Sequence, residues 1–281
     1  MTPLFLVPKP RLIEGEQRFD VNLNTRALVK KVLGSSDLFR RADAAHKALS
    51  GRLPTSTRPE VAAIIRQAVF LVKNGDQRHA EELITNALEK YVNSPDLLAF
   101  LGWVYKAWNP PRPTDAREKF TRAWQLNCCN EEMYKRWSRM EMDQKEWTKA
   151  AEAAEKGLKL IGNRPELLYL AGHARSRLGR ELKMGLHHER AAAELERAHA
   201  LLQKALRMPD SLEAGERRLN ADIYRALVLN CELRNDVRGM TEYFERWLSE
   251  HPEDPDAHSE WARLQPKFGL VGYDSERATT V

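Results

Sequence analysis

Cysteine is scarce in this 281-residue sequence, with Cys128 and Cys129 adjacent and Cys231 far away. An odd, unevenly spaced set of three gives neither a paired disulfide framework nor a Cys-x-x-Cys metal knuckle. It predicts small buried packing residues in a reducing compartment. Long apolar runs are missing as well. Leu4 to Val7 is too short for the core of a signal peptide, and nowhere do about 18 uncharged apolar residues occur together, so the expected location is the cytoplasm. Glycine and proline number only 14 each, which argues against barrels and low-complexity chains. His-Glu-x-x-His, Gly-x-Ser-x-Gly and Gly-x-x-x-x-Gly-Lys stretches are absent, so the expectation is a non-enzyme without metal or other cofactor.

What the chain does have is 42% hydrophobic and 30% charged residues, enough apolar surface for a sizeable core and the balance of a helix-rich protein. The formal net charge of +5 is unevenly placed. Residues 1–58 hold eleven Lys or Arg against five Asp or Glu, which makes that stretch basic and leaves the rest close to neutral. Attraction to acidic partners is therefore expected to begin at the N-terminal end.

From residue 59 the sequence repeats as pairs of amphipathic helices with a period of about 34 residues. Small residues recur at fixed offsets: Gly102, Ala116 and Ala123 in one unit, Gly172, Ala198 and Ala205 in another. A small side chain on the first helix facing another on the second lets the two backbones approach closely, a packing rule that needs no catalytic role.

Leu101-Gly102, Tyr105, Ala116, Phe120 and Ala123 follow the order large, small, aromatic, small, aromatic, small, and in this the chain resembles the tetratricopeptide repeat family. Further units show Ala68, Ala80, Ile84 and Ala87; Trp137-Ser138, Ala150, Ala154 and Gly157; and Tyr224, Leu227, Met240, Phe244 and Trp247. The resemblance covers residues 59 to about 266. It implies an all-α fold, a right-handed α-solenoid of about five helix pairs with a capping helix from Pro255 to about Gln265. Beyond Lys267 the sequence turns small and polar, so a tail over 267–281 is expected to fray. The fourth unit departs from the pattern, because about fourteen additional residues, Arg180 to Ala193, separate Ala171-Gly172 from Ala198. They predict either two lengthened helices or a protruding arm.

Residues 1–58 lie outside the repeat. Pro3, Pro8 and Pro10 predict an extended opening. Two short helices are expected to follow, one from Asn24 or Thr25 to Gly34 and one from Ser35 or Ser36 to about Gly51. Asp20-Val21-Asn22-Leu23-Asn24 resembles the connector that precedes helical repeats in bacterial signalling ATPases, although the chain has no phosphate-binding Gly-rich loop.

His187-His188-Glu189 invites a metal reading, but adjacent helical residues point about 100° apart and cannot grip one ion. The resemblance instead implies a function carried by the concave face lined by the first helix of each pair, where ligands lie as extended peptides or helices. Its groove-facing offsets fall on Trp103 and Lys106, on Lys135 and Arg139, on Tyr169, His173 and Arg177, and on Arg225. Aromatic and cationic groups of this kind suit an acidic protein or peptide segment. Lys135 and Arg139, one turn apart, are expected to be exposed. Asp96, Glu132, Glu166, Asp222 and Glu232 project from the same faces, so the groove is mixed in sign. The Lys and Asn pattern that clamps a C-terminal carboxylate in chaperone-binding relatives is not reproduced. The expectation is a scaffold, adaptor or sensor, placed beside a signalling or defence system by the N-terminal resemblance. The alternative is a nucleic-acid-binding accessory protein whose Arg26, Lys30, Lys31, Arg40 and Arg41 meet phosphates.

Overall fold

Proline and capping side chains punctuate the helices. In a computed structural model that describes residues 11–13, 16–18, 58–208 and 214–269, eleven helices occur among the described residues. They are α1 (Pro59–Lys73), α2 (Gln77–Lys90), α3 (Pro95–Lys106), α4 (Pro113–Gln125), α5 (Glu131–Asp143) and α6 (Trp147–Ile161). The series continues with α7 (Pro165–Met184), α8 (His188–Leu206), α9 (Ala214–Arg234), α10 (Val237–Glu250) and α11 (Pro255–Phe268). Proline opens α1, α3, α4, α7 and α11, where its missing N–H would be unpaired in any case. The side chains of Asp76, Ser94, Asn130, Asp236 and Asp254 accept from the first turns of α2, α3, α5, α10 and α11.

Four pairs turn from first to second helix in one way. Gly75, Lys145, Leu186 and Asn235 each adopt a positive φ, between 57° and 81°. The next amide reaches back across the turn: Asp76 to the Leu71 carbonyl, Glu146 to Glu141, His187 to Leu182 and Asp236 to Cys231, each at 2.9 Å. This is the six-to-one bond of a left-handed helix cap, and it satisfies carbonyls the helix end would leave unpaired.

Gly102 and Gly172 lie where the two helices of a pair touch, but each faces a bulky side chain of the second helix and not the small residue expected there. A Cβ on Gly102 would stand 2.7 Å from the Phe120 ring, and one on Gly172 2.7 Å from Leu202. Ala116, Phe120, Ala123, Ala198 and Leu202 are fully buried behind these contacts. The fourth pair resolves the question of its additional residues, for both helices are lengthened. Helix α7 has 20 residues and α8 has 19, against 12 and 13 in α3 and α4. Seven residues beyond Gly172 and seven before Leu202, Gly179 meets Leu195, again with a Cβ position 2.7 Å away. Seven residues make close to two full turns, so adding them to both helices returns the small residue to the same face.

Polar groups tie this longer pair to the next. Asn230 of α9 donates to Ser176 Oγ on α7 (3.1 Å) and to the Leu195 carbonyl on α8 (2.9 Å), all of it buried. The core continues through Tyr224, Leu227, Phe244 and Trp247 to Trp261 and Leu264 of the last helix. That helix runs to Phe268, beyond the end expected near Gln265, with Pro266 in its last turn and Gly269 left-handed after it.

The chain divides into two units, residues 1–53 and 54–281. In the first, β1 (Arg11–Ile13) pairs antiparallel with β2 (Glu16–Arg18), Leu12 opposite Gln17. The two short helices expected between Asn24 and Gly51 lie outside the described residues, as does the tail from residue 270. No helix among the described residues is long and apolar enough to cross a membrane.

Candidate functional site

The first helices of successive pairs, α3, α5, α7 and α9, carry the residues expected to face the groove, and most of those residues engage side chains around them. Trp103 lies under the Arg136 guanidinium, 4.3 Å from its ring, with Phe100 edge-on at 4.7 Å. Lys106 reaches Asp143 of α5 at 3.5 Å. Burial pulls its pKa below the ordinary lysine value against the attraction of Asp143.

Lys135 is not the exposed cation expected from the sequence. Its side chain is only 16% exposed, and it is surrounded by Glu131, Glu132 and Glu166. Burial works against its charge, but Glu166 and Glu131 outweigh that and raise the pKa. Arg139, half exposed, pairs with the second oxygen of the same Glu166. The cause of the correction is the packing of α7 beside α5, which brings an acidic first turn against the two cations. The middle of the groove is thus internally neutralised.

The far end differs. Tyr169, His173, Arg177 and Arg225 line one cavity of about 680 Å³ between α7, α9 and α11, joined there by Arg180, Asp222, Glu232, Glu260, Arg263 and Lys267. Ala226, Leu229 and Leu233 supply apolar wall. Arg263 and Lys267 hold Glu232 at 2.8 Å each, and chiefly through the Arg263 hydrogen bond its carboxyl is pulled to about 2. Arg225 spans to Asp256 and Glu260 of α11. Arg177 and Arg180, by contrast, have no carboxylate within ion-pair distance among the described residues.

Arg177 is held differently. Its Nε–H donates to His173 Nε2 at 3.2 Å. A guanidinium is always the donor, so the imidazole is neutral and carries its proton on Nδ1, which faces the Tyr169 hydroxyl at 3.5 Å. Burial, then Arg177 and Arg225, push the His173 pKa down to about 4. Burial likewise lifts Tyr169 to about 12, so neither ring carries charge near neutrality.

Four of the eight expected groove residues therefore share one cavity, while Trp103, Lys106, Lys135 and Arg139 are engaged by neighbours elsewhere. The sequence reading missed Arg180, Arg263 and Lys267. Arg180 lies one turn beyond Arg177 and becomes visible once the additional stretch is read as helix. Arg26, Lys30, Lys31, Arg40 and Arg41 lie outside the described residues. His187, His188 and Glu189 are exposed at the turn between α7 and α8, and among the described residues no group of three or more His, Cys, Asp or Glu is placed to hold a metal ion. Of the cysteines expected to be buried, Cys128 and Cys231 are, and Cys129, in the turn between α4 and α5, is exposed.

No family model matches the sequence, and no curated protein matches it. Solved structures do match the fold. A tetratricopeptide repeat protein from Parabacteroides merdae is 19% identical, with a TM-score of 0.54 over 77% of this chain and 75% of its own. MamA is 17% identical, with a TM-score of 0.50 over 75% of this chain and 97% of its own. YrrB, a tetratricopeptide repeat protein with an unusual peptide-binding site, is 15% identical, with a TM-score of 0.50 over 70% of this chain and 90% of its own. The likeness is one of fold, and the described helices form an α-solenoid of tetratricopeptide-type helix pairs.

Proposed function

We propose that this protein is a non-enzymatic interaction scaffold that captures an acidic segment of a partner protein at the end of its concave groove formed by α7, α9 and α11. The observation that carries the reading is the contrast along the groove. Cations elsewhere are matched by carboxylates of neighbouring helices, whereas Arg177 and Arg180 face the cavity with no carboxylate partner among the described residues. An unmatched cation beside an apolar wall pays part of its desolvation without a partner's compensation, a cost that a ligand carboxylate or other anion removes. Tyr169, Leu229 and Leu233 beside them offer the apolar contact a peptide side chain needs. The peptide-binding site of YrrB, a protein of the same fold, is consistent with this use of stacked helix pairs. Placement beside a signalling or defence enzyme rests on residues outside those described and gains nothing from the groove.

The test is recovery of partners on the immobilised full chain from its native host, at moderate and high salt, with nuclease treatment in parallel. A partner retained by the wild type after nuclease, and lost by the Arg177→Glu, Arg180→Glu double variant, supports the groove. Loss of all partners on nuclease treatment contradicts it in favour of phosphate contacts to nucleic acid.

A further inference from the structure

The lengthened fourth pair gives the groove something that a pair of ordinary length lacks. Arg180 stands in the additional part of α7, one turn past Arg177, and both arginines line the same cavity. Side chains three apart on a helix emerge about 5–6 Å from each other, so the two guanidinium groups reach one ligand group together. We infer that this end of the groove is a seat for a phosphorylated side chain of the partner segment, gripped by Arg177 and Arg180; the inference rests on the groove being the binding face.

Three observations point to a phosphoryl group over a single carboxylate. Two guanidinium forks present more N–H donors than the two oxygens of one carboxylate accept, while a phosphoryl group offers three acceptor oxygens and nearly two negative charges. The cavity wall holds five cations against three carboxylates, an excess that a doubly charged group balances. Glu232, one of the three carboxylates of this wall, is already held by Arg263 and Lys267 of α11.

His173 is the positioning residue of this seat. It takes the Nε–H of Arg177 on a neutral nitrogen, which fixes the guanidinium while leaving its charge uncancelled and, among the described residues, both terminal nitrogens open to the ligand. An aspartate or glutamate there would fix the same side chain and neutralise it. Tyr169 on the preceding turn backs the imidazole from its other nitrogen.

The experiment uses the full chain and three probes: N-acetyl-O-phosphoserine amide, N-acetyl-glutamate amide and a library of random unphosphorylated acidic peptides. Binding is followed by NMR of arginine Nε–H and histidine ring signals. The phosphoserine probe is expected to bind at least tenfold more tightly than the glutamate probe, with the largest shifts at Arg177, Arg180 and His173. Arg177→Gln and Arg180→Gln are each expected to weaken it tenfold or more with unchanged thermal midpoints. His173→Gln, whose amide oxygen can accept the Nε–H, is expected to bind within threefold of wild type, and His173→Leu to lose tenfold. Equal affinity for the phosphoserine and glutamate probes overturns the phosphoryl inference. Peptides that bind at the concave face with no phosphoserine preference overturn it while leaving the groove reading intact. Shifts confined to the convex face, or no binding by any probe, overturn both.

Discussion

Glu141 is wholly buried on α5, yet it accepts two hydrogen bonds from Arg117 of α4, at 2.7 and 2.6 Å, and a third from Trp137 Nε1 at 3.0 Å. Three donors compensate the loss of water, and removing the carboxylate strands Arg117 against the helix pair. Glu141→Ala is expected to cost about 3 kcal/mol in urea unfolding, below the upper range for such pairs because Arg117 keeps some solvent contact; a loss under 1 kcal/mol would contradict this. His173 makes a second prediction at this scale. Its ring is held near 4, below the ordinary histidine value of 6.5, by burial and by Arg177 on its own helix and Arg225 on α9, with Asp222 and Arg139 nearby on the Tyr169 side. The unfolded chain therefore binds a proton there more readily than the folded one. Stability is unaffected by this group above about pH 6.5, falls as pH drops from there towards 4, and His173→Gln should remove that part of the decline. Parallel pH slopes for wild type and variant would refute it. Neither role was legible in the sequence. Gly102 was, since its offset from Ala116 and Phe120 announces a close approach, but Glu141 reads there as one more charge on a helix rich in them. Its pairing with Arg117, 24 residues earlier, exists only after the helices pack.

At the scale of elements, the helix pairs follow from periodicity, and the turns decide how cleanly each pair closes. Leu186 sits in the left-handed region at φ 62°, 76% exposed, at the turn of the lengthened pair, where other pairs use Gly75 or Asn235. A side chain in that conformation costs about 1–2 kcal/mol, and glycine gives part of this back through its more flexible unfolded state. Leu186→Gly is therefore expected to stabilise the protein by about 0.5–1 kcal/mol in thermal or urea unfolding, while Gly75→Ala, at φ 81°, should destabilise it. The opposite order would show that the turns do not govern these pairs. The sequence left two forms open for residues 180–193, and what decides between them is the seven-residue step shared by Gly172 and Gly179 on α7 and by Leu202 and Leu195 on α8. A protruding arm would have had no use for a second small residue in that register.

For the whole molecule, a solenoid distributes its contacts between neighbours, so charge matching along the concave face is set pair by pair. The repeat register told which residues face the groove and could not tell which of them spend their charge on the next helix. Lys135 and Arg139 show the difference: reversing both to Glu would set new carboxylates beside Glu131, Glu132 and Glu166 and disturb folding as well as any binding. Arg177 and Arg180 pair with no carboxylate among the described residues, which makes them the cleaner probe of the face. The most direct measurement is the affinity of a recovered partner, by calorimetry, for the wild type, for Arg177→Glu with Arg180→Glu, and for Lys30→Glu with Lys31→Glu. The account predicts at least a tenfold loss, about 1.4 kcal/mol, in the groove variant and a change within threefold in the N-terminal one. Unimpaired binding by the groove variant, with loss in the N-terminal variant, would contradict it.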